Sequence, residues 1–251
     1  MLTAHARRYG ICLSDDFVAG HGPRSGETFD QNAPAWAADL ASRNLPTLRL
    51  LVPGATLEQL ELVGEGREGI VYRIDETRCV KFSRRKHKEE VAALEQGQGS
   101  PFFPVLHYAG REFMLREYID GLPLNRHLRR HKLTRDLSAQ LIELFKELRR
   151  RGFRRLDMRL SHIIVTPSGR VGIIDPTNLN KDRRDFPRKF FKGMRRRGYA
   201  GKFIEHVREL APELLERWGG RLSQFNPDAV RADRGGPRAR RPLRATAARA
   251  R

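Results

Sequence analysis

A chain of 251 residues can bury a core without disulfides, and its two cysteines, Cys12 and Cys79, form neither a disulfide framework nor a CxxC metal knuckle. Lys and Arg outnumber Asp and Glu by 49 to 30, a net charge of +19 that attracts nucleic acid, anionic lipid or acidic substrates. No run of about 18 apolar residues occurs, and the N-terminus MLTAHARRYGICLSDDF lacks the apolar core of a signal peptide, so no membrane span and a cytoplasmic location are expected.

The stretch from His5 to Asn32 is rich in Gly, Ser and Asp and has no clean period. Residues 1–56 are therefore read as an N-terminal extension, partly disordered. Residues 57–120 carry strand signals. Leu60 and Leu62 alternate with polar residues and lead into GEGREGIVY at Gly64–Tyr72. Its G-x-G-x-x-G spacing suits a loop whose amides lie along phosphates, but glycines also mark any tight turn. IVYRI, the turn DET and CVKF then read as a hairpin. KHKEEVAALEQ reads as a helix ending at Gly97, and FPVLHYAGREFMLREYI as two short strands around Ala109-Gly110.

Residues 121–220 turn helical. Thr134 is placed to cap a helix with Leu137, Leu141, Leu144 and Leu148 on one face, stopped by Gly152. Two apolar runs, HIIV and VGIID, flank the turn PSGR. DFPRKFFKGMRRRG and YAGKFIEHVRELAPELLERW complete the helical part. Between Lys181 and Arg197 nine Lys or Arg face two Asp, while Phe186, Phe190 and Met194 repeat at four, so one buried face and one basic face are expected. Residues 221–251 read as a basic disordered tail, with eight Arg and one Asp from Arg231 to Arg251.

The third glycine of the loop opens a strand rather than a helix, which disfavours a dinucleotide fold. In this context the sequence resembles the protein-kinase superfamily from Leu57 to Arg208, in a compact bacterial serine/threonine kinase-like form. The resemblance implies an α+β fold of two lobes, a small strand-rich N-lobe and a reduced helical C-lobe. It implies an ATP-dependent transferase acting with Mg²⁺ or Mn²⁺ on a hydroxyl of a protein or small molecule. Gly64, Glu65, Gly66, Gly69 and Val71 stand at the nucleotide loop, and Lys81 at the strand lysine that pairs the α- and β-phosphates. Glu90 stands where that lysine's partner is found, with Glu89 as the competing choice. EYIDG, with Glu117 and Ile119, resembles the hinge that holds adenine, which Val71, Cys79 and Ile164 would sandwich. RLDMRLSH resembles the catalytic loop, with Asp157 at the proton-accepting position and Arg159 placed to offset charge on the transferred group. IIDPT resembles the metal-binding segment, with Asp175 as its ligand.

The chain also departs from that pattern. His162 replaces the usual metal-binding Asn; lipopolysaccharide-core kinases are similar in placing a His there, and a simple packing role is the alternative. Leu156 replaces the arginine that reads a phosphorylated loop, Pro176-Thr177 replace Phe-Gly, and no A-P-E follows, so the peptide-docking platform is expected to be reduced. Arg116 falls at the back of the adenine site, which asks for either a different register or a buried carboxylate partner. Three readings therefore compete: a serine/threonine kinase-like enzyme, a small-molecule or saccharide kinase, and an ATP-binding pseudokinase. Non-specific polyanion binding through the basic regions is a fourth possibility.

Overall fold

The computed structural model describes residues 35–56, 60–65, 69–84 and 87–225. Helix α1 (Ala35–Leu51) precedes strands β1 (Glu61–Glu65), β2 (Gly69–Arg73) and β3 (Arg78–Ser83). Helix α2 (Lys88–Gly97) is followed by β4 (Leu106–Ala109) and β5 (Phe113–Glu117). Then come β6 (Leu122–Pro123), α3 (Leu124–Arg130), α4 (Arg135–Arg150), β7 (Ile163–Val165) and β8 (Val171–Ile173). The last elements are α5 (Arg188–Arg196), α6 (Ala200–Leu210) and α7 (Pro212–Leu222). The architecture is mixed α and β, and among the described residues no helix is long and apolar enough to cross a membrane.

Five antiparallel strands form one sheet in the order β1-β2-β3-β5-β4. Period-two alternation sorts its faces. Ile70, Tyr72, Val80, Phe82 and Leu115 point to one side and pack with α1. Val71 pairs with Lys81, and Cys79 with Arg116, on the other side. Asp75 holds the β2–β3 turn by accepting from the amides of Thr77 (2.9 Å) and Arg78 (2.8 Å) and from Arg78 Nε (2.7 Å).

Helix α1 belongs to this core although residues 1–56 read as an extension: Ala37, Ala41, Leu45 and Leu48 are fully buried. Asn44 further ties it to the β4–β5 turn by donating to Glu112 Oε2 at 2.9 Å. The far boundary shifts as well, because Leu222 and Phe225 pack into the second core and the ordered chain runs past 220. The expected disorder of the first residues and of the tail, and the start at Leu57, lie outside the described residues.

The second, larger apolar cluster joins α2 to β6–β8 and α3–α7. Thr134 caps α4 by accepting from Leu137 N, and Gly152 closes that helix with a φ of 76°. Phe190, Phe191 and Met194 bury the apolar side of α5; Phe186 is buried just ahead of that helix. Phe145, Phe191 and Trp218 meet edge to face, a favoured aromatic geometry. A small sheet, β6-β7-β8, pairs Ile163 with Ile173, so the residues before β7 and after β8 emerge side by side.

The turn makes one prediction. Partial burial opposes ionisation of Asp75, but the Arg78 guanidinium and the Thr77 groups outweigh it and hold the carboxyl at about 2, below its ordinary 3.8. A lowered folded-state pKa gives stability that is present above the unfolded value and lost as pH falls through the folded one. Asp75→Asn should therefore cost about 1 kcal/mol at neutral pH, after allowance for solvent screening. Urea unfolding should find the gap between the two proteins closing as pH drops from about 4 to 2.

Candidate active site

Strand alternation brings Lys81 onto the inner face of the sheet, and α2 presents Glu90 to it. Lys81 Nζ lies 2.5 Å from Glu90 Oε2, and their side chains are only 8% and 2% exposed. A charge so removed from water is tolerable only when paired. The neighbouring Glu89 points to solvent and pairs with Lys181 at 3.2 Å.

The β7–β8 pairing brings the next two groups together. Ile174 N donates to His162 O at 2.8 Å, which sets His162 beside Asp175 with 3.9 Å between Nε2 and Oδ2. Asp175 has a φ of 56°, a left-handed backbone that non-glycine residues seldom adopt, and Thr177 Oγ1 donates to its Oδ1 at 2.6 Å. Burial would raise the Asp175 carboxyl, but Lys81, the Thr177 hydroxyl, His162 and Arg116 together bring it below the ordinary carboxylate value. Burial lowers the His162 imidazole against the opposing pull of Asp175, with Arg159 and Lys189 lowering it further. Both shifts favour the deprotonated forms, a carboxylate beside an uncharged imidazole.

Asp157 is buried, and one of its oxygens has a structural partner: Lys189 N donates to Oδ1 at 2.5 Å. Lys189 is the second residue of α5, so this bond satisfies one of the helix's unpaired amides. Its Oδ2 lies between Arg155 (3.7 Å) and Arg184 (3.6 Å). The segment after Asp175 folds back along the loop that carries Asp157, with Leu156 N donating to Arg184 O and Arg184 N to Arg154 O, both at 2.9 Å. Helix α5 then seats closely on that loop: a Cβ on Gly193 would lie 2.7 Å from Leu160 Cγ.

These groups surround one cavity of about 550 Å³. Gly64, Glu65, Gly69 and Val71 form one wall, Lys81 and Arg116 the back, and Asp157, Arg159, His162 and Asp175 the opposite wall. Gly66 lies outside the described residues. A Cβ on Gly69 would lie 2.3 Å from Phe82 O, so glycine is required there by the close approach of β2 to β3. Cys79, Glu117, Ile119 and Ile164 do not line this cavity. Cys79 Sγ donates to Glu117 O at 3.6 Å, while the Glu117 carboxylate accepts from Val105 N at 3.1 Å. Ile119 packs on Gly172, and Ile164 is buried beside Gly121.

Arg116 keeps its place opposite Cys79 in the β3–β5 register and is buried. Among the described residues no carboxylate pairs with it at ion-pair distance; Nη1 reaches Glu117 O at 3.5 Å and Nε has no hydrogen-bond partner. Neither alternative raised by the sequence, a shifted register or a carboxylate partner, is what the fold adopts. The sequence reading also left Lys189, Ser161 and Asn178 out of the site, although all three line the cavity. The basic run containing Lys189 was visible, but its approach to Asp157 is a tertiary contact across 32 residues.

No protein-family model matches the chain. It is similar to a protein of Bacillus subtilis (strain 168) named "Putative serine/threonine-protein kinase YrzF", at 29% identity over 134 residues. The match covers 50% of this chain and 62% of that protein, so the chain spans less than two thirds of its relative's length. This similarity indicates a kinase-like relationship, with which the antiparallel sheet and its helices are compatible.

The buried pair yields a stability test. Glu90→Ala strands the Lys81 charge and should cost about 3 kcal/mol, whereas replacing both partners by apolar residues should cost less than the single change. Denaturant unfolding of the single variants and of Lys81→Met/Glu90→Leu measures both.

Proposed function

We propose that the protein is an ATP-dependent phosphotransferase that moves the γ-phosphoryl group to a hydroxyl. The convergence of Lys81, Asp157, His162 and Asp175 on one cavity, with Lys81 held by Glu90, carries this reading. Phosphoryl transfer needs charge neutralised on the triphosphate and an acceptor oxygen held in line. Lys81 pairs with the α- and β-phosphates beside Gly64, Glu65 and Gly69. Arg159 faces the same space and offsets charge on the transferred group. The acceptor oxygen bonds to the γ-phosphorus as the bridge to the β-phosphate breaks. The acceptor's proton passes to Asp157, and the bridging oxygen leaves with ADP.

Asp175 and His162 fit a divalent cation. Both residues line the same cavity with 3.9 Å between Nε2 and Oδ2, and the downward shift of each favours the deprotonated form that coordination requires. Among the described residues no group of three or more His, Cys, Asp or Glu forms a complete cage, so phosphate oxygens and water would fill the remaining positions. Such an ion neutralises charge on the phosphoryl oxygens. The name of the Bacillus subtilis relative supports a serine/threonine kinase-like activity. A turnover-free binding module is the second reading, favoured by the engagement of Asp157 Oδ1 with Lys189 N.

Two experiments test these roles. Lys81→Ala should abolish the thermal stabilisation conferred by ATP. Asp157→Asn, which keeps an acceptor for Lys189 N, should retain that stabilisation and lose turnover. Stabilisation by ATP that survives the loss of Lys81 refutes the assignment, and ATP binding without turnover in the wild type across an acceptor panel favours the binding module. Separately, imidazole suits Mn²⁺ better than Mg²⁺. The Mn²⁺/Mg²⁺ activity ratio should therefore fall in His162→Asn, and an unchanged ratio at saturating ATP takes His162 out of the metal site.

A further inference from the structure

A second cavity of about 480 Å³ adjoins the first and shares Arg159, Ser161 and Lys189 with it. Lys189, Lys192 and Arg196 recur at spacings of three and four, so they form a row on one face of α5. Arg197 extends that row, and Arg159 faces it from the catalytic loop. No carboxylate lines this cavity.

Concavity, together with the lack of ion pairs, sets this cluster apart: Arg188 and Arg195 of the same run also form no ion pair among the described residues, but neither lines the cavity. Earlier in the same basic run, Lys181 pairs with Glu89, Arg183 with Asp185 and Arg184 with Asp157. Among the described residues no carboxylate forms an ion pair with Arg159, Lys189, Lys192, Arg196 or Arg197. Five like charges around one concavity repel one another, and an anion placed among them removes that cost. Guanidinium and ammonium groups together match a phosphate, whose several oxygens accept from more than one donor. The volume lies in the range of small-ligand sites. Only twelve residues, 176–187, separate Asp175 from α5, and they pack back on the catalytic loop.

We propose that this cavity is the acceptor subsite, and that the acceptor is a small hydroxyl compound already carrying a phosphate monoester. The inference rests on reading the first cavity as the site of phosphoryl transfer. The existing phosphate is held by Arg159, Lys189, Lys192, Arg196 and Arg197, and takes no part in bond making. The free hydroxyl of the same molecule reaches Asp157 past Ser161 and Lys189, where the two cavities join. Its proton goes to Asp157, its oxygen bonds to the γ-phosphorus, and ADP departs, so the product carries two phosphates.

The test uses the full chain with the nucleotide site filled by a non-hydrolysable ATP analogue. Inorganic phosphate, glycerol 3-phosphate and glycerol are titrated by calorimetry. Both phosphate-bearing probes should bind and glycerol should not. Lys192→Ala/Arg196→Ala should weaken them about tenfold or more, as expected for loss of charge-assisted bonds. Arg129→Ala/Arg130→Ala removes the same charge outside the cavity and should leave binding unchanged. An equal loss in that control assigns the effect to net charge and overturns the proposal. So does an absence of phosphate binding, or tight binding of a single-stranded RNA that neither small probe displaces. If the analogue binds through Lys81 while the phosphates do not, this inference fails alone. If the analogue does not bind, the phosphotransferase reading falls and this inference with it.

Discussion

The ion pair between Lys81 and Glu90 is the interaction on which the rest of the site depends, because it ties the inner face of the sheet to α2 through two buried charges. Lys81 leaves a sheet whose opposite face is packed by α1. Glu90 leaves a helix whose Ala93 and Leu94 belong to the larger cluster beneath. Hydrophobic burial has no direction and could seat α2 at many rotations. A buried ammonium 2.5 Å from a carboxylate tolerates few of them. The pair therefore sets how the sheet's inner face looks down on the loop that carries Asp157.

A second tie works from below. Asp157 joins its own loop to the first turn of α5, and the β7–β8 pairing joins His162 to the segment that carries Asp175. Three carboxylates thus have three different environments. Glu90 serves the lysine, Asp157 caps a helix while facing the cavity, and Asp175 sits on a strained left-handed backbone beside a neutral imidazole. Their separation by environment is what lets one small volume hold groups of different duty.

Much of this frame was legible in the chain because local rules dominate it. Alternation in IVYRI and CVKF sends Val71 and Lys81 to one face, and Thr134, the leucine repeat and Gly152 delimit α4. Helix α1 was not legible: Pro46 interrupts its pattern, and its apolar stripe is largely alanine and leucine whose burial depends on a sheet not yet formed. The candidate site divides in the same way. Lys81, His162 and Asp175 are positioned by short hairpins and so follow from spacing. The burial of Cys79, Ile119 and Ile164 away from the cavity depends on side-chain packing, as with Ile119 against Gly172. That Arg116 has no carboxylate at ion-pair distance among the described residues, while lying near enough to Asp175 to lower its carboxyl, depends equally on tertiary packing.

Gly193 has a consequence for selectivity. Helix α5 rests against Leu160 at a distance that only a hydrogen in place of a side chain permits. That seating depth determines the span from the cation row to the Asp157 carboxylate. The helix cannot sink further, and the Lys189 N–H bond opposes its rising. The backbone of α5 is thus held at a set distance from Asp157, and under the acceptor proposal that distance, taken up by the reach of the Lys and Arg side chains, selects among molecules that engage both cavities.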